Sequence, residues 1–233
     1  MFPVVDVRGE VVGFGGRIVR DQKAAKYINS PETPVYTKGR HVYGGHTART
    51  GARKSNRVVL CEGNIDVVSL WQSGMEGTVA AMGTALTEAQ VRIVKRLSPN
   101  VVCLMDGDAA GRKAAFGSLL SFLGEGVEPR AVMLPDGEDP DSYVAGNGID
   151  ALTARLDEAR PLFDLFIEDV SGRHPADNPG RIAALGEVAP ALIRLEDPLT
   201  RTLYRRQVAD ALRIDAEIVE AAEGQAKARA EEQ

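Results

Sequence analysis

In the stretch "CLMDGDAAGRK", Cys103–Lys113, two carboxylates stand one residue apart where an apolar run ends. Asp106 and Asp108 face the same side if the chain there is extended, and Gly107 between them lets the backbone turn sharply. Two further acidic groups follow apolar runs in the same way. Glu62 comes directly after "RVVLC", with Asp66 four residues on, about one helical turn away. Asp136, Glu138, Asp139 and Asp141 form "DGEDPD" after "AVMLP". Each group has a plain structural use: Asp108 as a helix N-cap, Glu62 at the positive end of a helix, and "DGEDPD" as a solvated turn stiffened by Pro140. Together they point to something more. Carboxylates crowded on one rim repel unless cations neutralise them. Oxygen donors without His or Cys select Mg²⁺ or Mn²⁺, ions that serve phosphate chemistry.

The elements that must position these acids are legible from Arg57 onward. "RVVLCEG", "GTVAAMG", "NVVCLMDGD" and "EPRAVMLP" read as short buried strands, apolar on both faces. Between them "NIDVVSLWQSG", "LTEAQVRIVKRL" and "AAGRKAAFGSLLSFLGEG" read as helices, the second opened by a capping box at Thr87. This alternation predicts a parallel α/β sheet, whose function gathers at the carboxyl ends of the strands. Before it, "FPVVDVRGEVVGFGGRIV" reads as two strands joined at Arg8-Gly9, with a further turn or bulge at Gly13–Gly16. Its glycines do not form a dinucleotide-binding fingerprint. "NSPETP" is a turn-rich loop, and Thr47–Asn56 reads as a flexible connector. After Ser142 the pattern is helical throughout: "IDALTARLDEA", "LFDLFIEDV", "RIAALGEVAPALIRL", "TRTLYRRQVADAL" and "DAEIVEAAEG", with a polar "QAKARAEEQ" expected to fray.

The net charge of −5 over 233 residues hides an asymmetry. Residues 1–57 carry 11 Lys and Arg against 4 Asp and Glu, and the remainder carries 17 against 29. A basic head on an acidic body suits a polyanion held over metal ions. Cys61 and Cys103 lie in apolar runs and read as buried, reduced thiols of a cytoplasmic protein. Neither they nor His41, His46 and His174 have zinc-ligand spacing. The N-terminus lacks the layout of a signal peptide, and no apolar run approaches membrane-spanning length.

Glu62-Gly63, Gly83-Thr84 and Asp106-Gly107-Asp108 together resemble the Toprim domain shared by bacterial primases, type I and II topoisomerases and some nucleases. "KYINSPETPVYTKGRHVYG", Lys26–Gly44, resembles the signature segment of DnaG-type bacterial primases. "FPVVDVRGEVVGFGGR", "EGNIDVVSL" and "LPDGEDPDSYV" match the same family in the same order. The resemblance covers nearly the whole chain. It implies an α/β fold: a Toprim-type parallel sheet with flanking helices, preceded by a partial β-rich N-terminal subdomain and followed by a helical C-terminal subdomain. The expected divisions are 1–56, 57–145 and 146–233. It also implies a DNA-directed RNA polymerase core, a nucleotidyltransferase that makes short RNA primers on single-stranded DNA from NTPs by two-metal phosphoryl transfer. Glu62, Asp106 and Asp108 then match the central acidic residues. Asp66, Asp139 and Asp141 match the further acidic set around Mg²⁺ or Mn²⁺. Arg17, Lys26 and Lys38 match basic residues lining the template and nucleotide groove, with Asn29 and Ser30 in the same signature loop.

Two positions depart from the family. Asn64 and Met105 stand where aromatic residues are usual. Family members also begin with a zinc-binding domain and end with a helicase-binding domain. This chain has no zinc ligands and starts inside the first motif, so it is expected to be a fragment. Replicative helicase and single-strand-binding protein are the partners implied for the full-length protein, acting at the cytoplasmic replisome and not at a membrane. Tyr27, Tyr36 and Tyr43 interleave with the cations and offer either base stacking or packing. Two other readings share these features: a nuclease or other Toprim activity, and a truncated module that binds single-stranded DNA or nucleotides without turnover.

Overall fold

The computed structural model describes residues 1–18, 27–83 and 86–232. They form two compact units, one of 1–118 with 129–159 and one of 119–128 with 160–233. The first unit opens with an antiparallel three-stranded sheet of β1 (Phe2–Val5), β2 (Val11–Arg17) and β3 (Tyr27–Asn29), in that order. The turn at Arg8-Gly9 forms as expected, with Gly9 at φ +93°. Of the turn or bulge expected at Gly13–Gly16, the pairing shows a register shift at the start of that stretch, where Val4 faces Gly13 and Val5 faces Val11; the glycines then continue the strand through Gly16 without a turn. Their lack of a side chain serves close packing, since a β-carbon on Gly13 would stand 3.1 Å from the ring of the fully buried Tyr36.

The larger sheet of this unit is built from β4 (Val42–Tyr43), β5 (Val58–Cys61), β6 (Thr78–Ala81), β7 (Val101–Met105) and β8 (Arg130–Met133). Their spatial order is β4-β6-β5-β7-β8. β4 is antiparallel to β6, and the remaining neighbours are parallel. β5 and β7 are buried at every residue, which is why their sequences are apolar without alternation. The helices are α1 (Ala48–Ser55), α2 (Asn64–Gln72), α3 (Glu88–Leu97), α4 (Ala109–Gly124, which belongs to this unit as far as Ser118), α5 (Pro140–Asn147) and α6 (Ile149–Asp157).

The flexible connector expected over Thr47–Asn56 is helix α1. Its inward face is made of Ala48, Gly51 and Ala52, too small to stand out as an apolar stripe. Their smallness is what the site demands: a β-carbon on Gly51 would approach the backbone of Glu76 and Gly77 to 2.6 Å. Tyr36 and Tyr43 are core residues. Tyr43 meets Phe2 edge-on at 5.9 Å and stacks on Trp71 at 6.3 Å. Packing, not base stacking, is therefore their role; the Tyr27 side chain lies outside the described residues. Cys61 and Cys103 are buried free thiols. Burial holds the Cys61 thiol well above its usual range and pushes Cys103 up to about 12, so neither ionises readily.

The second unit is helical: α7 (Leu162–Arg173), α8 (Asn178–Leu192), α9 (Pro198–Leu212) and α10 (Ala216–Glu231). Asp177 and Asp197 cap α8 and α9, accepting from the Gly180 and Thr200 N–H groups, and each is followed within two residues by proline, whose fixed φ suits a helix start. Phe163 and Tyr204 pack ring to ring at 4.5 Å. The bidentate pair of Arg205 with the buried Glu223 joins α9 to α10. The polar tail expected to fray continues α10 to Glu231. Among the described residues no helix is long and apolar enough to cross a membrane.

Candidate active site

The three acidic groups follow β5, β7 and β8, which are adjacent in the sheet, so they share one rim. The register pairs Leu60 with Cys103 and Met105 with Met133. It brings Glu62 beside Asp106, whose backbone N–H donates to Glu62 Oε1 at 3.3 Å. Gly111 makes this approach possible, because a β-carbon there would stand 2.7 Å from Glu62 Oε1 and 2.6 Å from the Asp106 carbonyl. The role of Gly107 is also close packing: a β-carbon would fall 1.8 Å from the Pro135 carbonyl oxygen. Gly107 N–H donates to the Glu138 carbonyl, and Gly137 N–H donates to that of Gly107. The loops after β7 and β8 are thereby tied together.

The outer acids also hold local structure. Asp108 accepts from Gly111 N–H at 2.7 Å in the first turn of α4. Asp66, 8 % exposed, reaches back to Gly63 N–H at 3.0 Å. Asp139 caps α5 through Ser142 N–H at 2.7 Å, and Asp141 accepts from Ser69 Oγ at 2.6 Å, linking α5 to α2. Asp106 is different: its buried Oδ1 has no hydrogen-bond partner.

The carboxylates sense one another. Burial, then repulsion from Glu62, Asp66, Asp139 and Asp108, pushes Asp106 up to about 7. Burial raises Asp66 to about 6, with Asp139, Asp141 and Glu62 adding to it and the Gly63 N–H opposing it. Glu62 is raised by burial and by Asp108, against the bond from Asp106 N–H. Such a rim is short of positive charge. The all-oxygen donor set and the unpartnered Asp106 oxygen fit Mg²⁺ or Mn²⁺. Among the described residues no group of three or more His, Cys, Asp or Glu is gathered so as to hold a metal ion by itself. Mg²⁺ is ordinarily held by one or two carboxylates together with substrate phosphates and water, which an open rim of this kind can provide.

The basic side is partly assembled here. Lys38 lies in a 3₁₀ turn, Lys38–Arg40. Its chain passes over Gly83 beyond the end of β6, with Nζ 3.4 Å from where a β-carbon would be. Two residues of the segment that opens α3 hold that turn: Thr87 Oγ1 donates to the Gly39 carbonyl at 2.6 Å, and the fully buried Gln90 donates through Nε2 to the Lys38 and His41 carbonyls at 3.3 and 2.8 Å. The spacing of Thr87 and Gln90 marks a capping box but not the anchor of Lys38; no local pattern signals a bond to residues about 50 positions away. Arg17 ends β2 and is exposed. Ser30 is committed locally, its Oγ accepting from Phe14 N–H at 2.9 Å. Asn29 pairs with Gly15 across β2 and β3. Lys26 and Thr84 lie outside the described residues.

Comparison with known proteins places these features. Residues 59–144 match a family model described as Toprim-like. Residues 1–49 match the DNA primase catalytic core, N-terminal domain. Residues 163–217 match the DnaB-helicase binding domain of primase, a module expected to lie beyond this chain. The DNA primase of Pseudomonas putida is 39 % identical over 233 residues, covering 98 % of this chain and 35 % of that protein. The chain thus spans about a third of the length of the curated relatives it matches. Among solved structures, a DNA primase domain from Pseudomonas aeruginosa superposes with a TM-score of 0.85 at 37 % identity, over 96 % of this chain and 71 % of that one. A DnaG primase catalytic domain bound to single-stranded DNA gives 0.79 at 36 % identity, over 90 % and 68 %.

Proposed function

Because the chain belongs to the family of bacterial DNA primase catalytic cores, we propose that it synthesises short RNA primers from NTPs on a single-stranded DNA template. The observation that carries this reading is the pairing of Glu62 with Asp106 at the ends of adjacent parallel strands, with the buried Asp106 Oδ1 left without a partner. Glu62, Asp106 and Asp108 would hold the divalent cations, with Asp66, Asp139 and Asp141 around them. Bound Mg²⁺ or Mn²⁺ supplies charge neutralisation for the triphosphate and activation of the attacking hydroxyl.

The chain's own residues do the rest. Lys38, set over Gly83, would take a phosphate of nucleotide or template, a role that Arg17 and Lys26 of the basic head would share. Asn29 and Ser30 shape the loop between them. Glu62, with a carboxyl raised above its usual range, is suited to accept a proton as well as to bind a cation. The divisions 1–56, 57–145 and 146–233 correspond in this reading to nucleic-acid grip, chemistry and partner contact. Residues 163–217 would contact the replicative helicase in the cytoplasm, where single-strand-binding protein coats the template.

The test incubates the chain with Mg²⁺ or Mn²⁺, labelled ribonucleotides and single-stranded DNA, alongside Asp106→Ala. RNA made by the parent and lost in the variant supports the proposal. Shortened DNA would instead indicate a nuclease, and retained DNA with neither product a binding module.

A further inference from the structure

Asn64 occupies a position that the acidic machinery does not use. It is the first residue of α2, two positions after Glu62. Its carboxamide and that of Asn29 both border Gly15: a β-carbon on Gly15 would stand 3.2 Å from Asn29 Oδ1 and 3.2 Å from Asn64 Nδ2. No more than twice that distance separates the two amide groups. Among the described residues neither has a hydrogen-bond partner, and both are half-buried. Gly13, Gly15 and Arg17 alternate along one face of β2, so the amide pair shares its strand face with a cation assigned to phosphate. The three residues come from β2, β3 and α2 and belong to one compact unit.

We infer that Asn29 and Asn64 recognise the 2′-hydroxyl of the incoming ribonucleotide, an inference that rests on the polymerase reading above. The hydroxyl donates to Asn29 Oδ1 and accepts from Asn64 Nδ2, so one neutral group satisfies both amides. Charged parts of a nucleotide are matched elsewhere, by lysine, arginine and metal. Of the neutral parts, the base edge is engaged by the template and must stay unread by the protein if synthesis is to follow any sequence. The sugar is the part that base pairing does not read, and its 2′-hydroxyl is what separates RNA from DNA precursors. A site built to bond a hydroxyl rejects the analogue without it, because its own polar groups are then left unpaired. Any side chain at position 15 would fill the gap between the amides, which explains glycine there.

The test is calorimetric titration of the full chain with ATP and with 2′-deoxy-ATP in the presence of Mn²⁺, for the parent, Asn64→Ala and Asn29→Ala, with folding checked by circular dichroism. The parent is expected to bind ATP roughly tenfold tighter than 2′-deoxy-ATP. Asn64→Ala should lose that advantage, its ATP affinity falling to the 2′-deoxy-ATP level while 2′-deoxy-ATP affinity stays unchanged, and Asn29→Ala should likewise lose the preference for ATP over 2′-deoxy-ATP. Equal binding of both by the parent overturns the inference and leaves the polymerase reading standing. Equal weakening of both in the variants also overturns it, as does a preference that follows the base (GTP against ATP) and not the sugar. A parent that binds neither nucleotide overturns the polymerase reading and this inference with it.

Discussion

Asp106 illustrates how one carboxylate reports on its surroundings. Its folded-state value of about 7 lies above the unfolded 3.8, so the folded chain holds the extra proton. Stability therefore falls as pH rises from about 4 through about 7. Without metal, the melting temperature should drop between about pH 4 and about pH 7, and Asp106→Asn should flatten that profile; an unchanged slope would mean that Asp106 does not carry the raised proton affinity. Mg²⁺ or Mn²⁺, competing with the proton, should raise the melting temperature more at the alkaline end of that range than at the acid end. Gly111 offers a second test without altering any acid. The β-carbon of Gly111→Ala would push on Glu62 Oε1 and the Asp106 carbonyl, so Mn²⁺ affinity should fall about tenfold or more, as read by paramagnetic titration. The positions of Glu62, Asp106 and Asp108 were legible because each ends an apolar run. The need for glycine at 107 and 111 was not, because it arises from loops brought close only in the fold.

Among the elements, α5 separates capping from charge. Asp139 caps this helix through Ser142 N–H, and asparagine caps about as well as aspartate. Asp139→Asn should thus keep the melting temperature and weaken Mn²⁺ binding, whereas Asp139→Ala should also cost roughly 1 kcal/mol of stability. Undiminished Mn²⁺ affinity in Asp139→Asn would confine Asp139 to the cap. Helix α3 extends the same logic over distance. Gln90→Ala strands the Lys38 and His41 carbonyls and should destabilise by about 1–3 kcal/mol, with nucleotide affinity falling alongside. The parallel strands and α3 could be read directly, being apolar throughout or clearly periodic. α1 could not, because alanine and glycine form its buried face and polar or basic residues make up the rest. Its physical signal is close approach, which leaves little trace in hydropathy.

For the molecule as a whole, the uneven charge is the feature with the broadest consequence. A basic head of 57 residues precedes an acidic remainder, and in the proposed function the cations of the head are where a polyanion would gain affinity by releasing counterions. Binding of single-stranded DNA should weaken steeply with salt. Lys38→Ala and Lys26→Ala should each reduce the slope of log affinity against log salt by about 0.7, the share of one phosphate contact on a single strand; a slope that does not move would place the strand elsewhere. Composition showed this asymmetry at once, while the way Lys38 is held over Gly83 depended on contacts that no local pattern encodes. That tether sets how tolerant the gene is of drift. Gln90 need never meet a nucleotide, yet a random change there would disarm the lysine proposed to do so. In a catalogue of substrate contacts position 90 would be silent, and in a survey of inactivating substitutions it would rank beside the acids.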